Sequence, residues 1–282
     1  MYKQIYTERP FDFTKHSTIG CGGIAEEAYY PCNEEEVVYL LSIFSKNWLA
    51  LGNLSNVLPS DAGTSRVVIS TKLLTEIRPT KEGVFVSAGV MSGALIRYMK
   101  ANRYGGAEFL VGIPCTLGGI LYMNGGVGGK YIAELVQSVR IIRDGKVIEM
   151  PVEECRYSYK NSVFMHTEDF ILGATLRLEK KDEMAIAEEI QRYIQKRAHL
   201  PKGKSMGCVF KNPPDISAGA LIERAGLKGL RVGGAKVSEL HANFIINDQN
   251  ATSADIRSLI ELIKDAVCKD CGIILEEEIR YI

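Results

Sequence analysis

The spacing of apolar and polar positions changes period several times along this chain, and the changes read as a mixed order of helices and strands. Asn33 followed by "EEEVVYLLSIF" offers an N-cap, a glutamate at the third helical position and apolar residues at helical spacing, which predicts a helix over 34–45. "WLALG" and "RVVIST" read as short strands, joined by the loop "GNLSNVLPSDAGTS". "GVFVSAG" is another strand, and "SGALIRYMKANRYG" a helix that Gly105 is expected to close. "SVRIIRDGKVIEM" alternates about Asp144-Gly145, the strongest short-range signal for a hairpin, and "FILGATLRLEK" continues in strand style.

Near Lys180 the texture changes to the charged, helical "KKDEMAIAEEIQRYIQKRA", so a domain boundary is expected just before it. Beyond lie a small-residue run, "SAGALIERAGLKGLRVGGAKVS", a strand "NFIIND", a helix "SADIRSLIELIKDAV" and the terminal "IILEEEIRYI". There is no internal repeat and no low-complexity segment.

Composition narrows the class. With 282 residues, 46% of them apolar, the chain is long enough for a sizeable core and for two or more domains. No apolar run approaches the roughly 18 residues of a membrane span, and the first residues carry the acids, aromatics and Pro10 that a signal peptide lacks. Balanced charge, 34 basic against 34 acidic side chains, and the absence of a Lys/Arg-rich block argue against a nucleic-acid partner. Seven cysteines, an odd number spread widely, suit a reducing compartment and point to a cytoplasmic location. Cys268 and Cys271 form a lone C-x-x-C at a helix end, without the second pair a metal site needs, and no metal site is expected.

Two stretches call for chemistry. "GAEFLVGIPCTLGGILYMNGGVGG" holds eight glycines in 24 residues, yet it is neither a Rossmann fingerprint nor a P-loop. Its glycines serve either tight turns in a packed core or a backbone cradle for a phosphate or pyrophosphate. "GKSMGCVFKNPP" places a small thiol, Cys208, between a flexible lead-in and two prolines.

Together with "STIGCGG", "LGNLSNVLPSDAG", "YSYKNSVF", "SAGALIERAGLKGLRVGGAKVSELHANFIIN" and "LEEEIR", these stretches occur in the order and spacing of the UDP-N-acetylenolpyruvoylglucosamine reductase family, which the chain resembles over nearly its whole length. The resemblance implies an α+β fold: a two-subdomain FAD-binding part of the vanillyl-alcohol-oxidase type, expected at 1–72 and 73–180, and a C-terminal α+β substrate-binding domain at 181–282. It implies FAD and NADPH as cofactors and a UDP-sugar as substrate, in peptidoglycan precursor synthesis.

The resemblance also assigns residues. Cofactor contacts are expected from Gly52, Asn53, Leu54, Ser55 and Asn56, from Gly112, Ile113, Pro114, Thr116, Gly118 and Gly119, and from Tyr122, Asn124, Gly125 and Gly126. Substrate contacts are expected from Tyr159, Lys211, Asn212 and His241. Cys208 stands where the family has a serine that protonates the substrate, and a thiol with a pKa of about 8.5 carries the needed proton at neutral pH; the alternative is a small packing residue. Glu278 matches the family's catalytic acid, and Lys160 replaces its arginine, keeping the charge but not the bidentate fork. Where the family reads G-G-G-S-N, this chain reads "GNLSN", and a leucine resists the left-handed backbone that glycine accepts. Two readings follow: an active NADPH-dependent flavin reductase, or a divergent member that keeps the fold and FAD but serves as a binding or regulatory protein without efficient turnover.

Overall fold

The helix Glu34–Phe44 begins as its sequence dictates: the Asn33 side chain accepts from the Glu36 N–H at 2.9 Å, and the Glu36 carboxylate accepts from the Cys32 N–H at 2.8 Å. The computed structural model describes residues 5–282. The chain packs as two units, one taking in the chain up to Arg9, Glu27–Asn53 and Arg66–Ala198, the other Pro10–Glu26, Leu54–Ser65 and His199–Ile282.

The first unit holds two sheets. In one, Trp48–Leu51, Val67–Ser70 and Ala28–Tyr30 run parallel and Tyr6–Glu8 closes the edge antiparallel. The other is antiparallel, in the order Lys146–Pro151, Val136–Arg143, Phe170–Leu176, Val84–Ser87, Ile77–Pro79. Phe170–Leu176 is buried along its whole length, because both faces of its sheet are covered. Phe170 and Leu172 pack with Val37 and Leu40 of the first helix, whereas Ile171, Ala174 and Leu176 pack with Leu95, Met99 and Leu117.

The Asp144-Gly145 turn forms as expected, with positive φ of 50° and 71° and Arg143 paired to Lys146. The following helix expectation needs correction. Ser92–Asn102 ends on Arg103, left-handed at φ 53°, and not on Gly105. Gly105 instead pairs with Glu179 in a short ladder, where a Cβ would lie 2.5 Å from the Lys181 side chain and 2.8 Å from the Glu108 carboxylate. Glu183–Arg197, capped by Asp182, belongs to this unit, with Tyr193 in the core and Glu189 paired to Lys181, which also holds the buried Glu108.

The second unit is built on an antiparallel sheet, Ser205–Cys208, Phe244–Asn247, Ala235–Val237 and Arg231–Val232. Ile256, Leu259, Ile260 and Ile263 of the helix Ser253–Cys271 pack with Met206, Ile245 and Leu221, and Ile19 and Leu58 from the two inserted segments join the same core. That helix runs past the apolar pattern to include Cys268 and Cys271 and ends on Gly272, left-handed at φ 70°. At its start Asp61 accepts from the N–H groups of Ser253 and Ala254 at 2.8 and 2.9 Å. The last strand, Arg280–Tyr281, lies parallel to Val57–Leu58. Among the described residues no disulfide joins the seven cysteines, no group of three or more His, Cys, Asp or Glu could hold a metal ion, and no helix is long and apolar enough to cross a membrane.

Candidate functional site

In the second unit the structure brings together the segments that carry Cys208 and Glu278. Cys208 ends the strand Ser205–Cys208, pairs with Phe244, and follows Gly207, whose φ of 77° breaks the ladder between Ser205 and Cys208. A bulge of this kind re-aims the side chain that follows it. Beyond Cys208 the chain meets the C-terminal segment. The Glu278 N–H donates to the Val209 carbonyl at 2.7 Å, Phe210 bridges Glu277, and the Lys211 N–H donates to the Glu276 carbonyl at 2.8 Å. Glu278 is therefore one position out of register with Cys208 across a short antiparallel pair, and both are half-buried.

The three consecutive glutamates divide by partner. Glu276 pairs with Lys211 at 2.5 Å, and Glu277 with Lys264 at 3.0 Å and the Tyr281 hydroxyl at 2.5 Å. Glu278 is held by its backbone: its carbonyl accepts from Asn56 Nδ2 at 3.0 Å. Asn212 Oδ1 accepts from the Ala218 N–H at 3.0 Å, at the start of the helix Ala218–Arg224. His241 stacks on His199 with ring centroids 6.3 Å apart, and its Nδ1 accepts from the Asn243 N–H at 3.3 Å. Burial, and next the neighbouring His199, push the His241 pKa below its usual value, which favours the neutral ring that can accept at Nδ1.

Lys160 and Tyr159 lie in the first unit, on a tight turn closed by reciprocal backbone bonds between Ser158 and Asn161. Lys160 is left-handed at φ 53°, a conformation that persists only where the surroundings enforce it. The enforcement is visible. Buried Asn124 donates through Nδ2 to the Ser158 carbonyl at 2.9 Å while its Oδ1 accepts from Ala133, and Ser162, fully buried, donates to the Tyr122 carbonyl at 2.5 Å. Asn124 and Tyr122, expected at the cofactor, thus also hold the Lys160 turn. The Tyr159 ring is exposed and meets Tyr131 edge-on.

Of the loop 52–56 expected at a pyrophosphate, Gly52 and Asn53 meet the glycine-rich segment in this unit, and residues 54–56 belong to the other unit. Asn53 Nδ2 donates to the Pro114 carbonyl at 2.8 Å, and a Cβ on Gly52 would fall 2.2 Å from Thr116 Oγ1, so only glycine permits this approach. Of the two uses the sequence left open for the glycine-rich run, core packing is seen at Gly118, where a Cβ would press on Ala88 at 2.9 Å; Gly112, Pro114 and Gly119 are exposed. Leu54 does adopt the left-handed backbone, at φ 49°, with its side chain buried.

A family model described as UDP-N-acetylenolpyruvoylglucosamine reductase, C-terminal domain, matches residues 198–282, and one described as FAD binding domain matches residues 26–150. UDP-N-acetylenolpyruvoylglucosamine reductase of Chlamydia abortus is 35% identical over 275 residues, covering 95% of this chain and 92% of that protein. The protein of the same name from Moorella thermoacetica is 36% identical over 283 residues, covering 98% and 93%. This chain belongs to the UDP-N-acetylenolpyruvoylglucosamine reductase family. The crystal structure of the Thermus caldophilus UDP-N-acetylenolpyruvylglucosamine reductase matches it with a TM-score of 0.85 at 30% identity, over 98% of this chain and 99% of that one. The fold is accordingly that of this reductase family, an FAD-binding part of the vanillyl-alcohol-oxidase type followed by a C-terminal α+β domain. The chain is an FAD-dependent oxidoreductase with NADPH as reductant.

Its own residues fit the flavin nucleotide: Gly119 is exposed, a Cβ on Gly52 would fall 2.2 Å from Thr116 Oγ1, and Arg197 donates to the Gly112 carbonyl at 3.3 Å, so small residues and a cation line the segments a phosphate-bearing ligand would meet. Sequence reasoning missed the bracing roles of Asn243 and Asn124. No local motif marks them, because their partners lie 33 and 34 residues away along the chain.

Proposed function

We propose that this reductase converts UDP-N-acetylglucosamine enolpyruvate to UDP-N-acetylmuramate in the cytoplasm, for peptidoglycan synthesis and so for cell shape and division, and that Cys208, Glu278 and Lys160 carry the protein's share of the chemistry. When bound, FAD reduced by NADPH would supply a hydride to the terminal vinyl carbon of the enolpyruvyl ether. The carbon next to the carboxylate then holds an electron pair. Cys208 Sγ–H gives it a proton, forming the new C–H bond, and the thiolate recovers a proton from solvent. One hydride and one proton are consumed per product.

Negative charge builds on the substrate carboxylate as the hydride arrives. Lys160 opposes it as a point charge, and Glu278 donates to it or polarises it. Tyr159, Lys211, Asn212 and His241 bind the UDP-sugar, and residues 52–56, 112–114, 116, 118–119, 122 and 124–126 hold FAD. The observation that carries this reading is the 2.7 Å bond from the Glu278 N–H to the Val209 carbonyl, which sets the acid beside the strand that ends on the thiol. The purified protein is expected to be yellow, to bleach with NADPH and to reoxidise, without oxygen, on adding the enolpyruvyl substrate. Flavin that bleaches but is not reoxidised by that substrate would refute the assignment.

A further inference from the structure

The segment that carries Cys208 is short, follows a left-handed glycine, and needs something to fix its direction. At Gly207 a Cβ would find nothing within 4 Å, so that side offers no support. Support comes from Asn243, which is 2% exposed. Its carbonyl accepts from the Val209 N–H at 2.9 Å, its Oδ1 accepts from the Phe210 N–H at 2.9 Å, and its Nδ2 donates to the Phe210 carbonyl at 2.8 Å. Its own N–H reaches His241 Nδ1 at 3.3 Å. The main chain and the amide together grip two residues in succession.

We infer that Asn243 is a positioning residue for the protonation step: by gripping Val209 and Phe210 it aims the Cys208 thiol, and through the Val209 carbonyl that receives the Glu278 N–H it sets the acid on the same backbone. The inference rests on the proposed donor role of Cys208. The grip is directional, since the amide must present its oxygen to an N–H and its nitrogen to a carbonyl. A carboxylate of the same shape would place an oxygen against the Phe210 carbonyl, and the repulsion would turn the segment. His241 supports the grip from behind, with a ring nitrogen as acceptor for the Asn243 N–H.

The test is Asn243→Asp in the FAD-loaded enzyme, with the two half-reactions followed separately by rapid mixing. Flavin reduction by NADPH is expected to stay within about twofold of the parent, while reoxidation by the enolpyruvyl substrate slows by roughly 10- to 100-fold, the usual cost of losing an outer support. On a Cys208→Ala background, Asn243→Asp is expected to add less than about threefold, because a residue acting through the thiol has nothing left to aim. Should Asn243→Asp fail to fold, Asn243→Ser replaces it: the short hydroxyl side chain loses the paired contacts to the Phe210 N–H and carbonyl, and reoxidation slows while flavin reduction stays near the parent rate. Equal slowing of both half-reactions, or full additivity with Cys208→Ala, would overturn the proposal and leave Asn243 a purely structural residue. If Cys208→Ala alone reoxidises at the parent rate, the donor assignment itself is wrong and the aiming role falls with it.

Discussion

Asn56 holds the carbonyl of Glu278: its Nδ2 donates there at 3.0 Å, and its own carbonyl accepts from the Arg280 N–H at 3.0 Å. A residue of the "GNLSN" loop thereby fixes the backbone on both sides of Ile279, reaching the Glu278 carbonyl 222 positions away along the chain. Asn56→Ala is expected to slow the substrate half-reaction of the FAD-loaded fraction by roughly tenfold, because the backbone of Glu278 loses its tie. Flavin absorbance per protein, measured alongside reoxidation rate, checks this. Loss of FAD with an unchanged rate in the loaded fraction would contradict it.

Lys160 replaces a bidentate arginine with a single ammonium group. Lys160→Arg is expected to preserve or raise turnover, and Lys160→Met to lower kcat/KM by roughly 10- to 100-fold, the scale of one lost hydrogen bond to a charged group. Steady-state kinetics with the enolpyruvyl substrate decide, and parent-like kcat/KM in Lys160→Met would remove the residue from the mechanism.

Leu54 pays for its left-handed backbone with burial, being 4% exposed at φ 49°. Left-handed strain costs about 1–2 kcal/mol, whereas burying a leucine contributes about 1.5–3 kcal/mol and a glycine loses a further 0.5–1 kcal/mol in chain entropy. Leu54→Gly is therefore expected to destabilise the protein by about 1–2 kcal/mol in urea unfolding, despite restoring the family residue. A gain in stability would show that the strain outweighs the packing.

Much of this architecture was legible because its determinants are local. The Asn33 cap, the Asp144-Gly145 hairpin and the strand-like apolar run of Phe170–Leu176 depend on neighbours within a few residues, and each formed where the pattern placed it. Gly105 misled because a glycine after a helical pattern reads as a cap, while here it admits the Lys181 and Glu108 side chains. At the site, Cys208 and Glu278 could be named from motifs, but the bond that joins their segments spans 69 residues, from Val209 to Glu278, and leaves no local mark. The left-handed Lys160 was illegible for a related reason: Asn124, which holds its turn, lies 34 residues from the carbonyl it binds.

His241 gives the protein a pH dependence of definite sign. Burial first, then His199 and Lys228, lower its pKa in the folded state, with Glu223 opposing. The unfolded chain thus binds more protons below the usual histidine range, so this contribution is complete above about pH 6.5 and is lost as the pH falls toward the lowered folded value. Thermal midpoints measured from pH 7.5 to 5 are expected to fall less steeply in His241→Asn than in the parent. Identical slopes would show that the histidine carries no such linkage.

The central claim is that the Cys208 thiol protonates the substrate. Three other cysteines, Cys21, Cys115 and Cys155, are buried with pKa values pushed up to about 12 by that burial, so they are poor candidates for this exchange. The most direct measurement is rapid-mixing spectroscopy of Cys208→Ala and Cys208→Ser, with flavin reduced by NADPH and then mixed anaerobically with the enolpyruvyl substrate. Reduction by NADPH is expected to be nearly unchanged in both; reoxidation is expected to slow by roughly 10² to 10⁴-fold in the alanine variant and to remain appreciable in the serine variant, whose hydroxyl restores a proton donor. Reoxidation of Cys208→Ala at the parent rate would contradict the claim and leave Cys208 a packing residue.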